Sequence, residues 1–186
     1  MAKIITQTPY RFIVIENDNL INPYFAHTAL EALAEIARKP VGRSLLDATS
    51  AANIAPHPQQ GFKVKLIRGM GVEAASIANP GKEGGSRAVP FNEIWARGGA
   101  GSKAACYWNP NIFNTPASGK RPAFIGLAHE LVHCMHSVMG TMKATYDDEE
   151  KWTIGLDPYA DAAICENTIR EEHGEDKRTR YDPPPV

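Results

Sequence analysis

His129-Glu130-Leu131-Val132-His133 is the stretch of this chain whose residue types and spacing suit a metal-dependent hydrolase. Four residues of helix turn through about 400°, so His129 and His133 stand one above the other on a single face. Two imidazoles so placed can both reach one tetrahedral Zn²⁺ at about 2.0–2.1 Å. Glu130, one position along, falls beside the ion, where a base can take a proton from an activated water. A catalytic zinc takes a third protein ligand and leaves its fourth position open. Candidates downstream are the acidic run Asp147-Asp148-Glu149-Glu150 and Glu166. His136 sits about 10 Å along the helix from His129, too far for one helix to wrap all three around one ion. A place behind the ligands or in the core is expected for it. The acidic run lacks the glycine-centred spacing of an EF-hand loop.

The elements that must position these groups follow from periodicity. Phe124, Leu127, Ala128, Leu131, Val132, Met135 and Val138/Met139 recur at three- and four-residue steps, which predicts a helix from Pro122 to Met139 buried along one side. Pro122 suits its first turn and Gly140 its C-terminal cap. Upstream, Arg11–Glu16 reads as a strand, and Asn22-Pro23 opens a helix to about Arg38 that ends at Lys39-Pro40. Ser44–Ala55 predicts a shorter helix, and Phe62–Arg68 a strand with one wet face. Ala105–Asn109 predicts a further strand, placed to pair with extended substrate at a sheet edge. Asn114–Gly119 reads as a turn. Gly81 to Lys103 holds six of the fifteen glycines and little periodicity, which predicts a long surface loop or a hairpin with flexible ends, able to act as a mobile flap over a cleft. A last helix is expected from about Ala160 to His173, closed by Gly174, followed by a free or docked tail, Asp182–Val186.

Length and composition narrow the function classes. A chain of 186 residues, 43% apolar and 22% charged, is expected to form one catalytic domain over residues 1–186 around one core. The net charge of −1 gives no global electrostatic case for a nucleic-acid partner. No apolar run approaches the ~20 residues that cross a bilayer, and no apolar signal segment follows Met1, so no membrane partner is expected. Cys106, Cys134 and Cys165 are odd in number and form no CxxC pair, and they read as small buried hydrophobes. Residues 141–186 carry 12 acidic against 6 basic side chains, an excess that a cation site can draw on. No GxSxG element supports a serine hydrolase.

Four segments in order, HELVHCMH (His129–His136), EEKWTIG (Glu149–Gly155), CENTIR (Cys165–Arg170) and RTRY (Arg178–Tyr181), carry a family resemblance. Residues 122–181 resemble the NleD-type zinc metallopeptidases, which include bacterial type III effectors and toxin domains of Rhs-like proteins. They are more distantly similar to the light chains of botulinum and tetanus neurotoxins. The resemblance implies an α+β, zincin-like single domain, with a small mixed or antiparallel sheet packed on a central HExxH helix and a C-terminal helix. It implies one catalytic Zn²⁺ held by His129, His133 and Glu150, with Glu149 behind Glu150 and Glu130 as general base. Arg178 and Tyr181 match the pair that stabilises the oxyanion, and Glu166, Asn167 and Arg170 would scaffold the site. Two departures stand out: 16 residues separate His133 from Glu150, where the neurotoxins carry a much longer insertion, and Trp152 replaces an arginine. If that short connection cannot bring Glu150 to the metal, Glu166 is the alternative third ligand.

The expected activity is that of a zinc-dependent endopeptidase acting on a protein substrate, as a monomer. The resemblance implies manufacture in a bacterial cytoplasm and translocation into a target cell, through a secretion apparatus or a fused carrier. For one branch it implies host signalling kinases cut in their activation loops. Two other readings remain at this stage. One is a zinc-dependent amidase or deamidase acting on a small or modified substrate in a closed, short cleft. The other is a non-catalytic zinc-stabilised binding module, which would not require a glutamate at position 130.

Overall fold

Ile13–Asn17 (β2) is the expected strand near the start of the chain. Around it the computed structural model, which describes residues 4–10, 13–17, 23–51, 64–69, 85–115 and 119–181, builds a mixed five-stranded sheet. Ile4–Gln7 (β1) pairs antiparallel with β2. Val64–Gly69 (β3) runs parallel to β2 and to Ala104–Trp108 (β5). Arg87–Pro90 (β4) closes the order β1-β2-β3-β5-β4, antiparallel to β5. Asn114–Thr115 (β6) and Gly119–Lys120 (β7) pair antiparallel as a separate two-stranded sheet at the expected Asn114–Gly119 turn, whose residues 116–118 lie outside the described residues. The expected tail Asp182–Val186, and the parts of the predicted elements at 11–12, 22, 52–55, 62–63 and 81–84, lie outside the described residues.

One layer of helices covers the sheet. Phe25–Ala37 (α1) buries Phe25, Ala29, Ala32, Leu33 and Ile36, and Pro40–Ala51 (α2) adds Leu45 and Leu46. Both pack on Ala123–Met139 (α4), which also lies against β4 and β5. Ile13 and Ile15 of β2 and Ala104, Cys106 and Trp108 of β5 face this layer and join its core. The Trp108 indole donates to the Ala123 carbonyl at 3.1 Å, tying the sheet to the first turn of α4. All three cysteines are buried. Among the described residues no helix is long and apolar enough to cross a membrane.

Three expectations are corrected. The glycine-rich stretch is not a flap: it contains β4 and the short helix Glu93–Arg97 (α3), and its loop is fixed to the end of α4. Ser102 N–H donates to the Ser137 carbonyl at 2.8 Å, the Ser137 hydroxyl donates back to the Ser102 carbonyl at 2.9 Å, and Gly99 N–H donates to the Gly140 carbonyl at 2.9 Å. Gly101 has φ +74°, and a Cβ there would collide with the Val138 carbonyl. Gly101 serves close approach and Gly99, at φ +82°, a left-handed turn, rather than mobility. Second, β5 is not an edge: β3 and β4 flank it, and the end of the sheet beside α4 is β4. Third, the last helix is only Glu166–Glu172 (α6). The alanines at 160, 162 and 163 offer little apolar surface to bury, and the helix starts where Thr168 accepts the Cys165 N–H at 3.1 Å.

Candidate active site

The centre of α4 carries His129, Glu130 and His133, all buried. Their two outer nitrogens, Nε2 of each imidazole, lie 3.2 Å apart. Tyr146–Ile154 (α5), an element the periodicity did not predict, crosses α4 and delivers the acidic run. Thr145 caps it by accepting the Asp148 N–H at 3.1 Å, and Asp147, Asp148 and Glu149 occupy the first turn, where the helix dipole favours negative charge. The Glu150 carboxylate thereby reaches 3.2 Å from His133 Nε2 and 3.5 Å from His129 Nε2. One donor atom from each of the three residues lies within 4.8 Å of the others.

This donor set fits a small divalent ion. Two donors at about 2.0–2.1 Å from a tetrahedral centre are separated by about 3.3–3.4 Å; the two Nε2 atoms are 3.2 Å apart, and they lie 3.2 Å from Glu150 Oε1 (His133) and 3.5 Å from Glu150 Oε2 (His129). The inner nitrogens are already committed. Glu166 Oε2 lies 2.8 Å from His129 Nδ1, and Glu149 Oε1 lies 3.0 Å from His133 Nδ1. Each imidazole therefore directs its free nitrogen to the centre, the arrangement metal-binding histidines need. Glu166 stands behind His129, not beside Glu150, so α5 leaves it outside the three-residue cluster.

Glu149 holds the rear of the site. Its Oε1 also meets His136 Nδ1 at 2.8 Å, and its Oε2 accepts the Lys143 N–H at 2.8 Å. The Thr153 hydroxyl sits 3.1 Å from His133 Nδ1. His136 stacks on Trp152 at 3.6 Å, and Lys143 Nζ lies 4.1 Å from the same indole centroid. Burial opposes ionisation of Glu149 and Glu150, but their hydrogen bonds with the imidazoles hold both carboxyls well below the usual range. Burial also opposes charging of His129 and His133; the surrounding carboxylates overcome it and raise both. Burial pushes the Glu130 carboxyl up, against the pull of the two histidines.

Behind His129 lies a second buried cluster. Glu166 accepts from Arg170 Nε at 2.6 Å and from Arg178 Nη1 at 3.0 Å, and Arg121 Nη1 stands 3.9 Å away. Asn167 docks the C-terminal segment, accepting the Arg178 N–H at 2.8 Å and donating to the Arg178 carbonyl at 2.9 Å. A cavity of about 380 Å³ opens over the site, walled by residues 85–88 of the β4 end and by Arg121, His129, Glu130, Tyr146, Glu150 and Arg178 among others.

Of the sequence-predicted residues, His129, Glu130, His133, Glu150 and Arg178 come together at this cavity. Tyr181 does not line it: its phenol hydrogen-bonds Asp147, which raises its pKa to about 12. Tyr146 and Arg121 line the cavity and escaped the sequence reading. Thr145-Tyr146-Asp147-Asp148 carries a capping signal that could have revealed α5 and its first residue; for Arg121, no local pattern points to the site.

Comparison with known proteins gives two findings. The family model of Peptidase_M91, described as effector protein, matches residues 13–181. The crystal structure of botulinum neurotoxin type G light chain superposes with a TM-score of 0.50 at 16% identity, over 91% of this chain and 60% of that one, a likeness of fold. The chain thus spans about 60% of the length of that neighbour. No curated protein matches the sequence.

Proposed function

The chain belongs to the Peptidase_M91 effector family, and from that premise we propose that it is a zinc-dependent endopeptidase. The observation that carries the reading is the convergence of His129 Nε2, His133 Nε2 and the Glu150 carboxylate beside Glu130 at one cavity. His129, His133 and Glu150 would hold the ion, with Glu166 and Glu149 fixing the two imidazoles from behind. Zinc, when bound, makes a water acidic near neutral pH and polarises the scissile carbonyl.

The chain's own groups do the rest. Glu130 takes the proton from the attacking water and returns it to the leaving amide nitrogen. Its burial raises its proton affinity, which suits a group that must hold a proton between two steps. Arg178 at the cavity wall and Tyr181, on exchanging Asp147 for the developing charge, are the donors for the tetrahedral oxyanion. The β4 end of the sheet, beside the cavity, is where an extended substrate would add a strand, which suits a polypeptide better than a small amide.

The substrate is a protein of the cell that receives the effector, with a signalling kinase as first candidate, and the chain acts as a monomeric catalytic domain over residues 1–186. The test is turnover of a denatured protein such as casein by zinc-loaded protein, chelated protein and the Glu130→Gln variant. Cleavage by the first alone is expected; equal cleavage by all three would remove the proposal.

A further inference from the structure

We propose that Arg121 forms the floor of a carboxylate-accepting subsite, so that the peptide cut here carries Asp or Glu where its side chain enters the cavity beside Glu130. This deepens the peptidase reading and rests on it.

Arg121 is buried to all but 9% of its side chain, lines the cavity and, among the described residues, pairs only at long range, with Glu166 at 3.9 Å. Its Nε has no hydrogen-bond partner among the described residues. Glu166, its nearest paired acid at 3.9 Å, is already claimed at 2.6 Å by Arg170 and at 3.0 Å by Arg178. Three guanidinium groups crowd the Glu166 carboxylate in a desolvated place; Glu130 is a further attraction for Arg121, and a bound zinc would add to the positive side. A buried cation is costly without an anion, and nothing in the cluster supplies a second one at contact distance.

The first turns of α4 make room for this guanidinium. Residue 126 is glycine inside a helix, where glycine is unfavourable. A Cβ there would lie 3.0 Å from Arg121 Nη2 and 3.3 Å from its Cζ. The missing side chain lets the planar fork lie along the helix at the cavity wall, and that fork matches a carboxylate with two parallel hydrogen bonds. Residues 85–88 of the β4 end line the same cavity, where a strand-forming substrate would run on, so the proposed carboxylate is that of an internal side chain rather than a chain terminus.

Zinc-loaded protein, Arg121→Gln and the charge-retaining Arg121→Lys are incubated with a tryptic peptide library from a whole proteome, and the cut sites are sequenced. The expected result is enrichment of Asp and Glu by about tenfold or more at one position flanking the cut, lost in Arg121→Gln and weakened in Arg121→Lys. Cuts without acidic preference, an unchanged preference in Arg121→Gln, or cuts confined to the terminal residue would overturn the subsite while leaving the peptidase standing. If nothing is cut, the peptidase reading fails, and the subsite is judged by the Arg121 Nε–H resonance of ¹⁵N-labelled Glu130→Gln protein. That signal, identified by its loss in Arg121→Lys, should move with the blocked tripeptide Ala-Glu-Ala and stay still with Ala-Gln-Ala. An equal response to both, or none, would overturn it.

Discussion

Replacing Glu149 separates a residue that orients ligands from one that is a ligand. Its carboxylate is shared among His133 Nδ1 at 3.0 Å, His136 Nδ1 at 2.8 Å and the Lys143 N–H at 2.8 Å. Glu149→Ala strands two buried imidazole nitrogens and one backbone donor. At about 1–3 kcal/mol for each buried group left unpaired, and with Thr153 able to satisfy His133 in part, the metal-free protein should lose about 2–5 kcal/mol. His133 also loses the partner that aims Nε2 at the centre, and a lost orienting partner weakens metal binding by about 10–100-fold. Glu149→Gln keeps one acceptor oxygen and should fall between wild type and Glu149→Ala on both scales. Urea unfolding followed by tryptophan fluorescence, with Trp152 packed on His136, reads the first quantity. Zinc competition against a chromogenic chelator reads the second. Glu150→Ala, which removes a donor from the cluster itself, should cost more zinc affinity than Glu149→Ala and less metal-free stability. If Glu149→Ala bound zinc within twofold of wild type, or cost more affinity than Glu150→Ala, the division of labour between the two neighbours would be wrong.

Tyr181→Phe should lower kcat on peptides by about 10²-fold with zinc affinity unchanged. Tyr146→Phe, which removes a phenol paired with Glu150, should weaken zinc binding instead, and the opposite pattern would exchange the two roles. Burial lowers the His173 pKa, the ring lying against Phe124 at 4.7 Å and facing Glu35, Glu172, Arg38 and Lys39. Its folded pKa lies below the ordinary histidine value, so its contribution is complete above about pH 6.5 and falls as pH drops below it. Thermal melts at pH 7.5 and 5 should therefore differ less in His173→Leu than in wild type; an equal difference would exclude His173 as the source. Gly101→Ala places a Cβ against the Val138 carbonyl at φ +74° and should destabilise by about 2–4 kcal/mol in urea melts, whereas a neutral effect would restore the mobile-flap view.

Much of the site was legible because its chemistry is local in sequence. His129, Glu130 and His133 need only helical periodicity to converge, and α4 has an apolar face strong enough to announce itself. The order of the EE, EN and RTRY segments then pointed to the residues that α5 and α6 bring to the same place. What stayed hidden depended on packing. Position 146–154 has a weak apolar stripe, and its helix is held by caps and by its acidic first turn rather than by a periodic face. The glycines at 99 and 101 looked like flexibility because glycine also permits mobility; only the packed structure shows a left-handed φ of +82° at Gly99 and close approach to the Val138 carbonyl at Gly101. Strand order is non-local, so β5 looked like an edge until β4 was seen beside it. Arg121 precedes the active-site helix without any motif, and the charged groups it clusters with, Glu166, Arg170 and Arg178, are 45 to 57 residues away.

The central claim is that Glu130 works on a zinc-activated water to cut proteins. The most direct measurement compares new protein N-termini in eukaryotic and bacterial lysates treated with zinc-loaded wild type or with Glu130→Gln, after each is shown to hold one zinc per chain. New termini that arise only with wild type, sharing a sequence pattern around the cut, are the predicted result. Identical termini from both proteins at equal zinc content would contradict it, and would move the site toward amide chemistry on small substrates or toward binding alone.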